Sequence, residues 1–495
     1  MLHFSQARVI QLHSSGCAAE DQSVAPDSRL GWLGRWATLI RALIAQLRYK
    51  RIRIQTCAVP KLPPTAKSDV LPGIRLTRQQ RRALKALEQF CRSSEKLYLL
   101  TGYAGTGKTT LLQALIRRLR SKGDKRDIVF TAFSNKATKV LERMAAQWNL
   151  GIDCMTCCKL LGLRPEIDGE TGKQVFRPDQ DSENYFHRYG LVVVDEASMI
   201  NEELWLLLSA AVSNLTEATQ LLFVGDVAQL PPVNEPESRV FSQIYQRSDL
   251  TEVVRYGGAI AVLAESIRNH LHQAQLPPFQ TDTNRDRTEG VLVLRQPDWQ
   301  HVLLKAFQSE ACQRDADYVR ALAYTNARVN QLNRQIRDVI YGPGTPRFVS
   351  GERLVASNPY LVQDAVIVQT SSECEVLEVT MGTVGEWQVW FLQVLTDENK
   401  VRNLTVLHEQ SQPIFRQRLD RCAQDKRWRE FWDLKNLFAD LNYAYCLTIH
   451  KAQGSTFQNV FVDVPNALTN RNIRERNQLL YVAVTRAARR VFLCQ

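Results

Sequence analysis

The sequence predicts an α/β fold with parallel sheets, helices on both faces, and the pattern laid down twice. Three observations carry this. From Leu76 onward, short apolar strands alternate with longer helical stretches. The strands Ile128–Phe133, Leu191–Asp195 and Gln220–Gly225 are nearly continuous apolar runs, as expected for strands covered on both faces. A second strand-and-helix pattern begins near Asp249.

The elements follow in chain order. Residues 1–75 carry 11 Lys/Arg against 4 Asp/Glu, so more than half of the chain's net charge of +12 sits there. Trp32, Trp36, Leu39, Ile40, Leu43 and Leu47 recur at helical spacing among arginines. This reads as a basic amphipathic helix, whose apolar stripe serves packing on the main body, a membrane surface or a partner. A proline-bearing linker closes the extension. LTRQQRRALKALEQF then reads as a helix capped by Thr77, Lys96–Thr101 as a strand, and Thr109–Ser121 as a helix ended by Gly123. Residues 165–180 read as a β-hairpin inserted in the first half. Residues 346–405 hold many short β-type pieces, and Pro413–Asp440 reads as one charged helix. The expected boundaries are 1–75 for the extension and 76–250 for the first α/β domain. The second domain takes 251–345 and 441–495, with an insertion at 346–440.

Composition excludes several classes. A hydrophobic fraction of 44% and a charged fraction of 23% suit a globular protein of 495 residues rather than a disordered chain or a fibre. No stretch of about 18 uncharged apolar residues is present, so no membrane span is expected. The N-terminus lacks an apolar core followed by a cleavage site, and a cytoplasmic, reducing setting is expected for the 11 cysteines. Cys154, Cys157 and Cys158 include one C-x-x-C, but no second Cys or His pair stands at zinc spacing.

The strongest chemical signal runs from Gly102 to Thr109, GYAGTGKT, between a predicted strand and a predicted helix. This is a P-loop in its required context. Glycines let backbone N–H groups turn onto phosphate oxygens, and the helix N-terminus adds its positive dipole end. Gly102, Ala104, Gly105, Thr106, Gly107, Lys108, Thr109 and Thr110 are therefore expected to hold the phosphates of ATP. Lys108 would neutralise β/γ-phosphate charge, and the Thr109 hydroxyl would ligate magnesium. The second signal is the apolar strand ending in Asp195-Glu196. Asp195 would hold Mg2+ through water, and Glu196 would polarise the attacking water. The third is Gly225-Asp226-Val-Ala-Gln229-Leu-Pro231-Pro232, whose Gln229 stands just past a strand end, where it can sense a γ-phosphate.

In this order, the motifs resemble those of the RecD/Dda-like group of superfamily 1 DNA helicases, from about Leu76 to Gln495. Leu76-Thr77-x-x-Gln80 resembles the adenine-reading glutamine motif. Thr131-Ala-Phe-Ser134-Asn135-Lys136-Ala resembles the first strand-tracking motif. Thr251-Glu-Val-Val-Arg255 resembles the segment that gives one arginine to the γ-phosphate. Tyr324-Thr-Asn326 resembles a nucleotide-side motif of the second motor domain. Thr448-Ile-His450-Lys451-Ala-Gln453-Gly454-Ser455 resembles a signature of the group, and Gln478-Leu-Leu-Tyr481-Val-Ala-Val-Thr485-Arg486 carries the second arginine.

The resemblance implies two RecA-like motor domains, with ATP in the cleft between them. Lys108, Asp195 and Glu196 would stand on one wall, and Arg255, Gln453, Gly454 and Arg486 on the other. Ser134, Asn135, Thr156, Pro231, Thr448, His450 and Ser455 would grip single-stranded DNA through its backbone. The group often has Thr-Ile-His where this chain has Thr156-Cys157-Cys158, so Cys158 replaces an expected donor. The hairpin at 165–180 would be the pin that separates a duplex, and the β-rich insertion a small SH3-like barrel. The implied activity is a monomeric, magnesium- and ATP-dependent DNA helicase that acts on single strands and duplex junctions. Its direction would be 5′→3′, since Pro231-Pro232 stand where oppositely moving relatives place stacking aromatics. A translocase with little unwinding, or a DNA-binding scaffold without turnover, are the alternatives. The complete set Lys108, Asp195, Glu196, Gln229, Arg255 and Arg486 argues against the scaffold.

Overall fold

The structure is a computed structural model. It describes residues 75–167, 174–178, 183–213, 219–232, 235–254, 258–362 and 365–495. The basic extension with its expected amphipathic helix lies outside the described residues, as does Arg255.

The first sheet has six parallel strands: β1 (Leu97–Gly102), β2 (Ile128–Ala132), β3 (Asp153–Thr156), β6 (Leu191–Asp195), β7 (Gln220–Gly225) and β8 (Arg247–Leu250). Their order is β3-β2-β6-β7-β1-β8. Alternate residues serve opposite faces. Leu100, Phe130, Val193 and Leu222 pack under helices Arg78–Phe90, Lys108–Ser121 and Asn135–Gln147. Leu99, Val129, Val192 and Phe223 pack on the other face, against helix Glu202–Ser213. Between β3 and β6 the chain forms an antiparallel pair, β4 (Leu163–Ile167) with β5 (Gln174–Pro178), at the position where a hairpin is expected.

The second sheet contains β9 (Asp282–Thr283), β10 (Gly290–Leu294), β11 (Val319–Ala323), β19 (Cys446–Thr448), β20 (Phe457–Val462) and β21 (Ala487–Cys494). Its order is β19-β11-β20-β21-β10-β9, parallel except at β9. One face packs on helices Gly258–Asn269 and Ile473–Val484. The other packs on helices Gln296–Phe307 and Asn326–Tyr341, around the fully buried Trp299.

Between β11 and β19 lie a two-stranded pair, β13 (Tyr360–Val362) with β14 (Ala365–Val368), and a five-stranded antiparallel sheet. The latter comprises β12 (Arg353–Ala356), β15 (Glu373–Val384), β16 (Trp387–Thr396), β17 (Val401–Leu407) and β18 (Leu441–Tyr443), in the order β17-β16-β15-β12-β18. Because β18 pairs with β12, this sheet runs three residues past the boundary expected at 440. The charged segment after β17 is two helices, Gln412–Gln424 and Trp428–Lys435, where one is expected. Lys426 adopts φ +54° and the Arg427 N–H bonds back to Cys422 O, which ends the first helix. The turn lets Phe438 return onto Phe415, which packs in turn on Trp387 of β16. Ion pairs tie this insertion to the first half: Lys136 with Glu373 at 3.3 Å and Lys139 with Asp397 at 2.8 Å.

Candidate nucleotide site and strand groove

The P-loop leaves the C-terminal end of β1 and enters helix Lys108–Ser121, as its glycine spacing predicts. Gly107 sits at φ +78°, and a Cβ there would lie 2.5 Å from Gln80 Nε2. No side chain caps this helix, so its first-turn N–H groups stay available to an anion. Lys108 Nζ donates to the carbonyls of Gly102 at 2.6 Å and Tyr103 at 3.2 Å. Thr109 and Thr110, both half-buried, occupy the same first turn.

Gln80 is buried, and its side-chain amide is engaged at both ends. Oε1 accepts from Thr77 N–H at 2.9 Å, completing a capping box, and Nε2 donates to Thr106 O at 2.9 Å. The side chain expected to read a base thus braces the P-loop in this structure. Its neighbour Gln79 was missed from the sequence. Gln79 Oε1 accepts from the N–H groups of Thr251 and Glu252. That fixes the segment leading toward Arg255, and the Val254 N–H donates to Gly105 O at 2.8 Å.

Asp195 ends β6, and its Oδ1 accepts the Glu196 N–H at 2.9 Å. Glu196 takes the left-handed conformation, φ +54°, uncommon for a residue with a Cβ. Removal from water, then the neighbouring Asp195 charge, push its carboxyl up to about 7, against the pull of Arg486 and Lys108. A carboxylate tuned toward neutral pH is suited to exchange a proton with water. Gly454, at φ +79°, closes in from the second half: a Cβ there would lie 3.8 Å from Glu196 Oε1.

The second half meets the loop after β7. Gln229 and Gln453 are both buried, and Gln453 Nε2 donates to Gln229 Oε1 at 3.0 Å. Gln478 Nε2 donates to Gln229 O at 2.8 Å. Arg486, 4% exposed, donates to the carbonyls of Val482 and Ser455, each at 3.1 Å. Gln229, Gln453 and Gly454 therefore stand beside Glu196, and Lys108 and Arg486 are near enough to act on its charge. One carboxylate and one hydroxyl, Asp195 and Thr109, are the expected metal donors there. Among the described residues no cluster of three His, Cys, Asp or Glu could cage an ion.

The strand-gripping candidates divide. Ser134, Asn135 and His450 line one groove of about 440 Å³ with Phe133, Cys158 and Gln453. Cys158 thus stands on the groove wall where a histidine donor is expected. Pro231 and His450 share a second groove, of about 490 Å³, with Arg474. Ser455 lines an adjoining cavity with Lys136, and its buried hydroxyl has no hydrogen-bond partner among the described residues. Thr156 and Thr448 do not line these grooves. Their hydroxyls accept the N–H groups of Lys159 and Lys451, each at 3.2 Å, and so cap turns. The described cysteines form no disulfide, and no described helix is long and apolar enough to cross a membrane.

A family model described as an AAA domain matches residues 75–282, and one described as a UvrD-like helicase C-terminal domain matches residues 443–494. The chain is 26% identical to an uncharacterized protein of Acanthamoeba polyphaga mimivirus, over 84% of this chain and 98% of that protein. It is 24% identical to the ATP-dependent DNA helicase Dda of Enterobacteria phage T4, over 84% of this chain and 98% of Dda. It is 27% identical to the ATP-dependent RecD2 DNA helicase of Deinococcus radiodurans, over 81% of this chain and 47% of that protein.

Proposed function

We propose that this chain, which belongs to the RecD- and Dda-like group of superfamily 1 helicases, is an ATP-dependent DNA helicase moving 5′→3′ along single-stranded DNA. One observation carries the reading. At the end of β6, Gly454 of the second half closes on Glu196, where a Cβ would lie 3.8 Å from Oε1, and Gln453 beside it bonds Gln229 of the first half at 3.0 Å. Groups from two sheets thus converge where a γ-phosphate and its attacking water would sit.

Each group has a task there. Lys108 and the uncapped helix N-terminus bind the phosphates. Thr109 and Asp195 would hold magnesium, which when bound neutralises phosphate charge. Glu196 takes the proton of the attacking water, and Arg486 stabilises charge developing on the γ-phosphoryl group. Gln229 and Gln453, bonded to each other, report the state of the cleft to the grooves beside it. Ser134, Asn135 and His450 grip the strand, so cleft closure shifts one grip relative to the other. The β4–β5 hairpin serves as the pin at the duplex junction, and the five-stranded insertion as an SH3-like module.

Strand displacement tests this reading. With ATP and Mg2+, a duplex bearing a 5′ single-stranded tail is opened and one bearing a 3′ tail is not. Opening of the 3′-tailed duplex alone overturns the direction, and absence of DNA-stimulated ATP hydrolysis overturns the motor itself.

A further inference from the structure

Helix Ile473–Val484 meets the first half through one face. Gln478 and Tyr481 stand three residues apart, so both side chains leave the same side. Gln478 reaches Gln229 O, as described above. Tyr481 reaches two loops at once: its hydroxyl accepts the Ala104 N–H of the P-loop at 3.0 Å and donates to Asp226 Oδ2 at 2.9 Å. Tyr481 and Asp226 are each 1% exposed, and Ala104 is buried. The other Asp226 oxygen accepts the Ala228 N–H at 2.9 Å, which shapes the turn leading to Gln229.

A buried tyrosine hydroxyl needs some partner, and a carbonyl within its own half would meet that need. Here the partners are a P-loop amide and a carboxylate at the end of β7, both in the opposite half. The hydroxyl–carboxylate bond is charge-assisted and shielded from water, which makes it both strong and sensitive to distance. The helix ends within one turn of Tyr481, and Thr485 and Arg486 follow directly. Any shift of the helix away from the P-loop therefore breaks the Tyr481 bonds and withdraws Arg486 together.

We propose that Tyr481 is a positioning residue for ATP hydrolysis, setting the helix that carries Arg486 in register with the P-loop through Ala104 and Asp226. The inference rests on the ATP-hydrolysing reading above. Tyr481 touches no reacting atom. It acts through where Arg486 and the P-loop stand, so its loss falls on turnover more than on nucleotide affinity.

The test is steady-state ATP hydrolysis with and without single-stranded DNA, on the wild-type chain, Tyr481→Phe, Asp226→Asn and the double variant, with a thermal melt of each. Tyr481→Phe keeps the ring and removes only the hydroxyl. Its DNA-stimulated kcat is expected to fall about tenfold or more, the weight of one buried charge-assisted bond. The KM for ATP is expected to stay within about threefold. Because the two groups share a bond, the loss in the double variant is expected to be smaller than the product of the two single losses. A Tyr481→Phe turnover within about twofold of wild type, losses that multiply in the double variant, or losses that follow the unfolded fraction each overturn the proposal. If Tyr481→Phe does not fold, Asp226→Asn alone decides, by the same split between kcat and KM. A wild-type chain without DNA-stimulated turnover overturns the ATPase reading. Wild-type turnover that Tyr481→Phe retains overturns the role of Tyr481 alone.

Discussion

Gln453 Nε2 donates to Gln229 Oε1 across 3.0 Å, although 224 residues separate the two in the chain. Gln229 belongs to the loop after β7 and Gln453 to the loop after β19, so the bond joins the two α/β halves beside Glu196. Both side chains are buried, and water cannot replace a lost partner cheaply.

Gln453→Ala leaves Gln229 Oε1 without that donor. A lost bond of about 0.5–1.5 kcal/mol corresponds to a fall of roughly two- to tenfold in turnover on DNA. The melting temperature is expected to fall as well, because an acceptor left buried and unsatisfied costs about 1–3 kcal/mol. Steady-state hydrolysis measures the loss. Turnover equal to wild type would make the bond incidental to the motor.

The brace between Gln80 and the P-loop leads to a different expectation. Gln80→Ala removes the donor to Thr106 O and half of the capping box around Thr77. The Thr77 hydroxyl still accepts the backbone N–H of residue 80, so the helix keeps the other half of its cap. Nucleotide affinity should weaken, by a similar factor for ADP and GDP, since the P-loop and not the base loses its support. Titration of both nucleotides by calorimetry checks this. A loss confined to ADP would instead assign Gln80 to the adenine.

Much of this site was legible in the sequence because its chemistry is local. The P-loop glycines, the Asp195-Glu196 strand end and the Thr77-x-x-Gln80 cap each need only a few consecutive residues in a fixed backbone shape. The bonds from Tyr481 to Ala104 and from Gln453 to Gln229 span hundreds of residues, and no local pattern encodes a partner at that distance. The turn caps made by the Thr156 and Thr448 hydroxyls were hidden for the reverse reason. A threonine after a strand suits both a phosphate grip and a turn cap, and only the folded backbone shows the caps. The single helix expected at 413–440 failed because no glycine or proline marks the turn at Lys426.

Arg337 and Glu352 provide a prediction independent of function. Glu352 is fully buried, and Arg337 donates to it at 2.5 Å, where the second α/β half meets the insertion. Glu352→Ala leaves a buried guanidinium without its counter-charge, a change that typically costs about 3–5 kcal/mol. Arg337 keeps the carbonyls of Thr345 and Pro346 as acceptors, which places the expected loss at the lower end. Replacing both residues with apolar ones of similar volume should recover most of it. Chemical denaturation of wild type and both variants measures the difference, and a Glu352→Ala chain as stable as wild type would show that the pair contributes nothing.

Glu196→Gln tests the chemistry most directly. The amide keeps the size of the carboxylate, so the left-handed turn at the end of β6 and the approach of Gly454 need not change. It cannot take a proton from water, so hydrolysis should fall by about 10²–10⁴-fold, the range for a lost general base. Lys108, the helix N-terminus and Asp195 are unaltered, so ATP should still bind, and without the buried negative charge it should bind no more weakly than to wild type. Rapid-quench hydrolysis and equilibrium binding of a fluorescent ATP analogue separate the two effects. A variant that hydrolyses at the wild-type rate would remove Glu196 from the chemistry. A variant that no longer binds nucleotide would make it a support of the site.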